Sequence, residues 1–209
     1  MSTGPGLADR WPLPDHDDLR AELLAAWDRD GYHDLLHLTE VLDRLDAMST
    51  AGAGFDATTV RLAAWFHDAV YLPDRSENEE RSARLAERAL AEAGVSDAKT
   101  AEVARLVRLT VTHDPADDDP DGQVLCDADL AILASPPSAY AAYTTAVREE
   151  YHFVPSDAFR EGRAAILRQL LDLPRLFRTS HGTAEWEATA RYNLTAELEM
   201  LSPPPDDAS

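Results

Sequence analysis

The chain reads as an all-α, single-domain helical bundle. Apolar residues recur at three- and four-residue spacing along nearly its whole length. Almost no segment alternates with period two; Thr110-Val111-Thr112 is too short to count as a strand. Capping residues and Gly or Pro stops punctuate the periodic runs. With 209 residues, 44% of them hydrophobic and 28% charged, the chain is long enough to bury one substantial core.

The elements follow in order. Leu19, Leu23, Leu24 and Trp27 form the stripe of a first helix, with Asp15 or Asp17 as N-cap and Gly31 as the stop. A second helix is expected from Tyr32 to Met48, its stripe being Leu35, Leu38, Val41, Leu42 and Leu45. A turn over Gly52 to Asp56 leads to a third, Val60 to Val70, which is apolar nearly all round and so predicted to be buried. Ser76-Glu77-Asn78-Glu79 carries the capping-box pattern and opens a helix that stops at Gly94. Ser96 or Asp97 starts the next, to Thr112, followed by an acidic loop, Asp114 to Gly122. Helices are predicted over Val124 to Ala134 and, after Pro136-Pro137, Ser138 to Tyr151. Pro155-Ser156-Asp157 opens another with Phe159, Ile166, Leu167, Leu170 and Leu171, and Thr183 or Glu185 opens the last. The division is an N-terminal extension (1–14), a helical domain (15–202) and a disordered tail (203–209).

Charge narrows the function. Nineteen Lys and Arg against thirty-nine Asp and Glu leave a net charge of −20. A field of that sign disfavours nucleic-acid polymers and anionic membranes as partners. Met1 to Pro14 lacks the basic start and apolar run of a secretory leader. Leu130 to Val147, the longest uncharged stretch, is broken by prolines and hydroxyl residues and fails as a membrane span. A cytoplasmic location is expected, and the sequence leaves room for a homodimer. The sequon at Asn193 is then a chance match in a helix. The single cysteine, Cys126, excludes an internal disulfide and a multi-thiolate metal site.

Three anomalies stand out. His33 and His37, four apart on one predicted helix, share a face. His67-Asp68 places an imidazole and a carboxylate near the end of an apolar helix, where neither is tolerated uncompensated. Asp127 and Asp129 repeat this in Val124 to Leu133. Singly, each has an ordinary explanation: surface decoration, helix capping, pairing with an arginine. Together they point to one divalent cation. Imidazole plus carboxylate without thiolate suits Mn, Fe, Co, Ni or Mg.

The order His37, His67-Asp68, Asp129 resembles the H…HD…D signature of the HD-domain superfamily of metal-dependent phosphohydrolases. Tyr32-His33-xxx-His37-Leu38, Trp65 to Tyr71, Asn78 to Ala83, Cys126 to Ala131 and Ala190 to Leu194 are similar to a bacterial subfamily of predicted HD phosphohydrolases, over about Leu19 to Leu201. The resemblance implies a helical bundle with His37, His67, Asp68 and Asp129 as metal ligands. It favours Asp129 over Asp127 through the Ala-Asp-Leu step, but spacing equally allows Asp127 on the metal with Asp129 behind it. His33 matches the proton-donating position of cyclic-nucleotide phosphodiesterases; its competing reading is a structural hydrogen bonder. Asn78 and Glu79 match a subfamily motif and are expected to line the pocket, though Glu79 also has the capping explanation. Typical two-metal members carry two more histidines between the HD pair and the last Asp. This chain offers His113, so one ion, or a weakly held second, is expected, with His113 otherwise binding substrate or capping its helix.

The implied activity is metal-dependent hydrolysis of a small phosphorylated metabolite, a nucleotide ester first among them. The ion would activate a water, with Asp68 or Asp129 able to take its proton. Lys99 is the one lysine, so arginine must supply cations for phosphate, with Arg81, Arg84, Arg163 and Arg191 as candidates against the ordinary reading of solvated ion pairs. The rival functions are an HD-fold di-iron oxygenase, which the shortage of histidines disfavours, and a non-catalytic nucleotide sensor. Two decoys are dismissed. Asp117 to Gly122 begins like a calcium loop but reaches Ala128 where a bidentate Glu is needed. Cys126 in an apolar helix is expected to be inert.

Overall fold

A computed structural model describes residues 6–201. The described residues form ten α-helices and no strand: α1 (Asp17–Trp27), α2 (Leu35–Thr50), α3 (Ala57–Phe66), α4 (Asn78–Glu92), α5 (Asp97–Leu109), α6 (Pro120–Leu130), α7 (Pro137–Glu150), α8 (Ser156–Asp172), α9 (Ser180–Glu185) and α10 (Glu187–Leu201). Two 3₁₀ turns, Leu7–Arg10 and Ala131–Ala134, complete it. The all-α expectation holds. No described helix is long and apolar enough to cross a membrane. The expected disordered tail lies outside the described residues. In the described part of the expected N-terminal extension, Trp11 packs edge-on to Trp65 at 5.1 Å between ring centroids.

Helix α3 is the axis of the main core, packing against α2, α4, α5 and α6. That is why Val60 and Leu62 through Phe66 are all fully buried. Trp27 closes the core from α1, also fully buried, its indole N–H donating to the Trp65 carbonyl at 2.9 Å. A second cluster joins Leu133, Tyr140, Leu167, Phe177, Ala190 and Leu194 from the second 3₁₀ turn, α7, α8, the α8–α9 connection and α10.

Element boundaries depart from expectation at the places that matter for chemistry. Helix α2 starts at Leu35, because Asp34 is its N-cap and accepts from the Leu36 and His37 N–H groups. His33 therefore precedes the helix instead of lying on it. Helix α3 ends at Phe66 with a tightened turn, Ala69 N–H donating to the Phe66 carbonyl at 3.0 Å. His67 and Asp68 thus sit at the exit of the helix, not inside it. The Ser76 capping box does not form: the N-cap is Glu77, at φ +68°. The chain is held there by Asn78, whose amide bonds the N–H and C=O of Leu72 and the C=O of Arg75. Part of the acidic loop is helical, since Asp119 caps α6 and Pro120 takes its first turn. The last predicted helix is two, interrupted at Trp186.

Candidate metal centre and cavity

Trp27 forms the floor of the site. Its ring lies 5.3 Å from that of His67 and 6.0 Å from that of His37, fixing both imidazoles by packing. His67 Nδ1 lies 2.7 Å from the Ala64 carbonyl oxygen, which can only accept. The proton is therefore on Nδ1, and Nε2 is the free donor atom. His37 Nε2 approaches His67 Nε2 to 3.3 Å. Asp129 Oδ1 is 3.2 Å from His37 Nε2 and 3.7 Å from His67 Nε2. Asp68 Oδ2 closes the group at 3.4 Å from His67 Nε2 and 4.0 Å from His37 Nε2. One ligand atom from each of His37, His67 and Asp129 lies within 4.8 Å of the others, a geometry that could hold a metal ion. The two buried imidazoles and their carboxylates form a nitrogen–oxygen donor set without sulfur, which fits the borderline and hard divalent ions expected.

The electrostatics match that convergence. Burial by itself lowers the pKa of His67, but Asp68 and Asp129 outweigh it and raise the group to about 9. Burial would likewise raise Asp129, yet His67, His113 and His37 hold it well below the ordinary carboxylate value.

His113 turns back at φ +49° and places Nε2 2.8 Å from Asp129 Oδ2, leaving Oδ1 to face the histidines. It lines the cavity but is engaged with this carboxylate. Asp127 is elsewhere. It accepts from the Arg178 and Thr179 N–H groups, each at 2.8 Å, and from the Thr179 hydroxyl at 2.7 Å. The alternative that put Asp127 on the metal is thereby corrected: its lone pairs tie the α8–α9 connection to α6.

His33 faces the centre from the loop before α2, with Nε2 3.9 Å from Asp68 Oδ2. Its Nδ1 is 2.8 Å from Glu150 Oε2, and its ring stacks on Tyr71 at 4.0 Å. Burial lowers its pKa, but Asp68 and Glu150 raise it above the ordinary value overall. Arg29, stacked over Trp27 and Tyr71, donates to the backbone carbonyls of His33 and, at 2.6 Å, of Asp68. Glu150 and Arg29 were missed from the sequence. Glu150 is one of two adjacent glutamates at a helix end, and Arg29 sits in a run of charges, so neither carried a signal.

A cavity of 670 Å³ opens above these groups, lined by His33, Asp68, Glu79, His113 and Asp129 on one side and by α7 and α8 on the other. Asn78 and Arg81 do not line it, which corrects their expected place at the substrate. Asn78 is spent on the Leu72–Arg75 turn, and Arg81 is on the exposed face of α4. Of the other candidate arginines, Arg84 pairs with Glu80 and Arg191 with Glu187, and only Arg163 reaches the cavity. The Tyr32 hydroxyl, belonging to another lining residue, is buried without a hydrogen-bond partner. Among the decoys, Asp119 is occupied by Arg105 and the α6 N-terminus, and burial pushes the Cys126 thiol well up. The Asn193 amide is buried against the Leu133 and Ser135 carbonyls.

No family model, curated protein or solved structure matches the chain. The HD-domain resemblance rests on the residues quoted for it.

Proposed function

We propose that this chain is a metal-dependent hydrolase of a phosphorylated small molecule. The observation that carries the reading is the meeting of His37, His67, Asp68 and Asp129, from three separate segments, beside an open cavity that Asp68 and Asp129 line. His37, His67 and Asp129 would hold the ion, with Asp68 beside them. When bound, a divalent ion supplies Lewis acidity toward a water and a phosphoryl oxygen. The chain's own groups handle the protons. Asp68 Oδ2 faces the site and can accept one. His33 donates Nδ1–H to Glu150 and presents Nε2 to the cavity. As the imidazolium, which Asp68 and Glu150 favour, it can deliver the Nε2 proton to a leaving oxygen and return to the neutral ring. Trp27 keeps water from the rear of the site, being fully buried behind both histidines.

Screening phosphorylated compounds with Mn²⁺, Co²⁺, Ni²⁺ and Mg²⁺ tests this directly. Hydrolysis that requires one of these ions and disappears in Asp68→Ala is the expected result. Turnover that survives both chelation and that substitution would overturn the reading.

A further inference from the structure

The half of the cavity facing the candidate centre has a chemistry of its own. Along α8, Phe159, Gly162, Arg163, Ile166 and Leu170 recur at helical spacing and line the cavity, whereas the buried residues of that helix are Ala164 and Leu167. Helix α8 therefore carries two faces, one packed on protein and one turned to open space, which is apolar at Phe159, Ile166 and Leu170 and polar at Arg163 and Gln169. Val147 of α7 and Ile132 and Leu133 of the 3₁₀ turn line the same space. A Cβ added to Gly162 would meet nothing within 4 Å, so this helical glycine leaves the lobe wide at its middle.

Charge in the cavity is scarce on the cationic side. Among the described residues Arg163 is the one lining Arg or Lys, and Glu197 takes its guanidinium at 2.7 and 3.0 Å. Asp68, Glu79 and Asp129 are acidic lining residues. A tri- or diphosphate would bring several negative charges to a wall where, beyond the ion and the lining histidines, the one arginine is already neutralised. A single phosphate at the metal side leaves the rest of the ligand in the apolar lobe.

We infer that the substrate is a monophosphate ester of a predominantly apolar body, the phosphate lying at the His37–His67–Asp129 group and the body along the α7–α8 lobe. This rests on the hydrolase reading above and narrows it away from nucleoside polyphosphates. The lobe selects by burying carbon, so affinity should climb with chain length.

Calorimetric binding of n-alkylphosphonates, methyl through hexyl, to the Mn²⁺-treated protein tests it, since their carbon–phosphorus bond is not hydrolysed as an ester. The expected result is about fourfold tighter binding per added methylene, with ATP and ribose 5-phosphate both weaker than hexylphosphonate. Gly162→Leu should flatten that dependence by filling the lobe, and its thermal midpoint reports that the variant is folded. Equal affinity for methyl- and hexylphosphonate, or ATP as the tightest ligand, would overturn the inference. Titration of Mn²⁺ alone separates the two readings. Manganese binding with a flat series removes the substrate class and leaves the metal centre. A steep series without manganese binding removes the metal reading and leaves the lobe.

Discussion

The imidazole of His33 and the carboxylate of Glu150 meet at 2.8 Å although 117 positions separate them in the chain. The contact is doubled by the His33 backbone N–H, 3.4 Å from the other carboxylate oxygen. Glu150 therefore sets the tautomer of His33 and turns Nε2 toward Asp68, as a positioning residue. Glu150→Gln keeps the shape and loses the charge. Hydrolytic kcat should fall by about 10²-fold, in the range of losing a positioned general acid–base, with manganese affinity unchanged by calorimetry. An unchanged kcat would reduce the pair to packing.

Close to that contact, Gly31 lies at φ +115°, and a Cβ there would come within 2.5 Å of Glu150 Oε1. Gly31→Ala should cost about 1–3 kcal/mol of stability from backbone strain, read by urea denaturation. It should also disturb His33, so kcat falls alongside stability.

Metal addition should stabilise the fold. An ion present at about 100 times its Kd contributes about 2.7 kcal/mol, which for a chain of this size raises Tm by roughly 5–10 °C. His67→Ala and Asp129→Ala should abolish the shift in a thermal melt. Asp127→Asn should destabilise the fold in all conditions, by on the order of 1–3 kcal/mol for orphaned donors, and so lower Tm while preserving the metal-dependent rise. A reversed pattern would exchange the roles of Asp127 and Asp129.

On the surface, Glu80 bridges Arg84 and Arg108, which hold its carboxyl at about 2, below the ordinary 4.5. A lowered carboxylate pKa favours the folded state above the unfolded pKa and loses that contribution as pH falls through the folded one. The stability difference between the parent protein and Glu80→Gln should be complete above about pH 4.5 and vanish toward pH 2. Acid titrations followed by circular dichroism would show it, with high salt shrinking the difference throughout.

Much of the molecule was legible in the chain. Helical periodicity yields the all-α class because packing against a core demands a stripe every 3.6 residues, whatever the neighbours. The boundaries slipped where polar side chains compete for the backbone. Asp34 takes the α2 N-terminus and removes His33 from the helix, and Asn78 ties up the loop and cancels the Ser76 capping box. The pairs His33/His37, His67-Asp68 and Asp127/Asp129 were legible as candidates because ionisable groups in apolar runs are costly without a shared partner, and the HD resemblance singled out His37 and Asp129 among them.

Local pattern thus determined which side chains could not stand alone in an apolar interior, and therefore which were candidates for one site. Only the tertiary structure decided between Asp127 and Asp129, paired Glu150 with His33, and faced an apolar side of α8 toward the centre. Those outcomes depend on which groups from distant segments come within a few ångströms, and the energies of hydrogen bonds and ion pairs act at that range alone. Spacing along a chain carries no record of it.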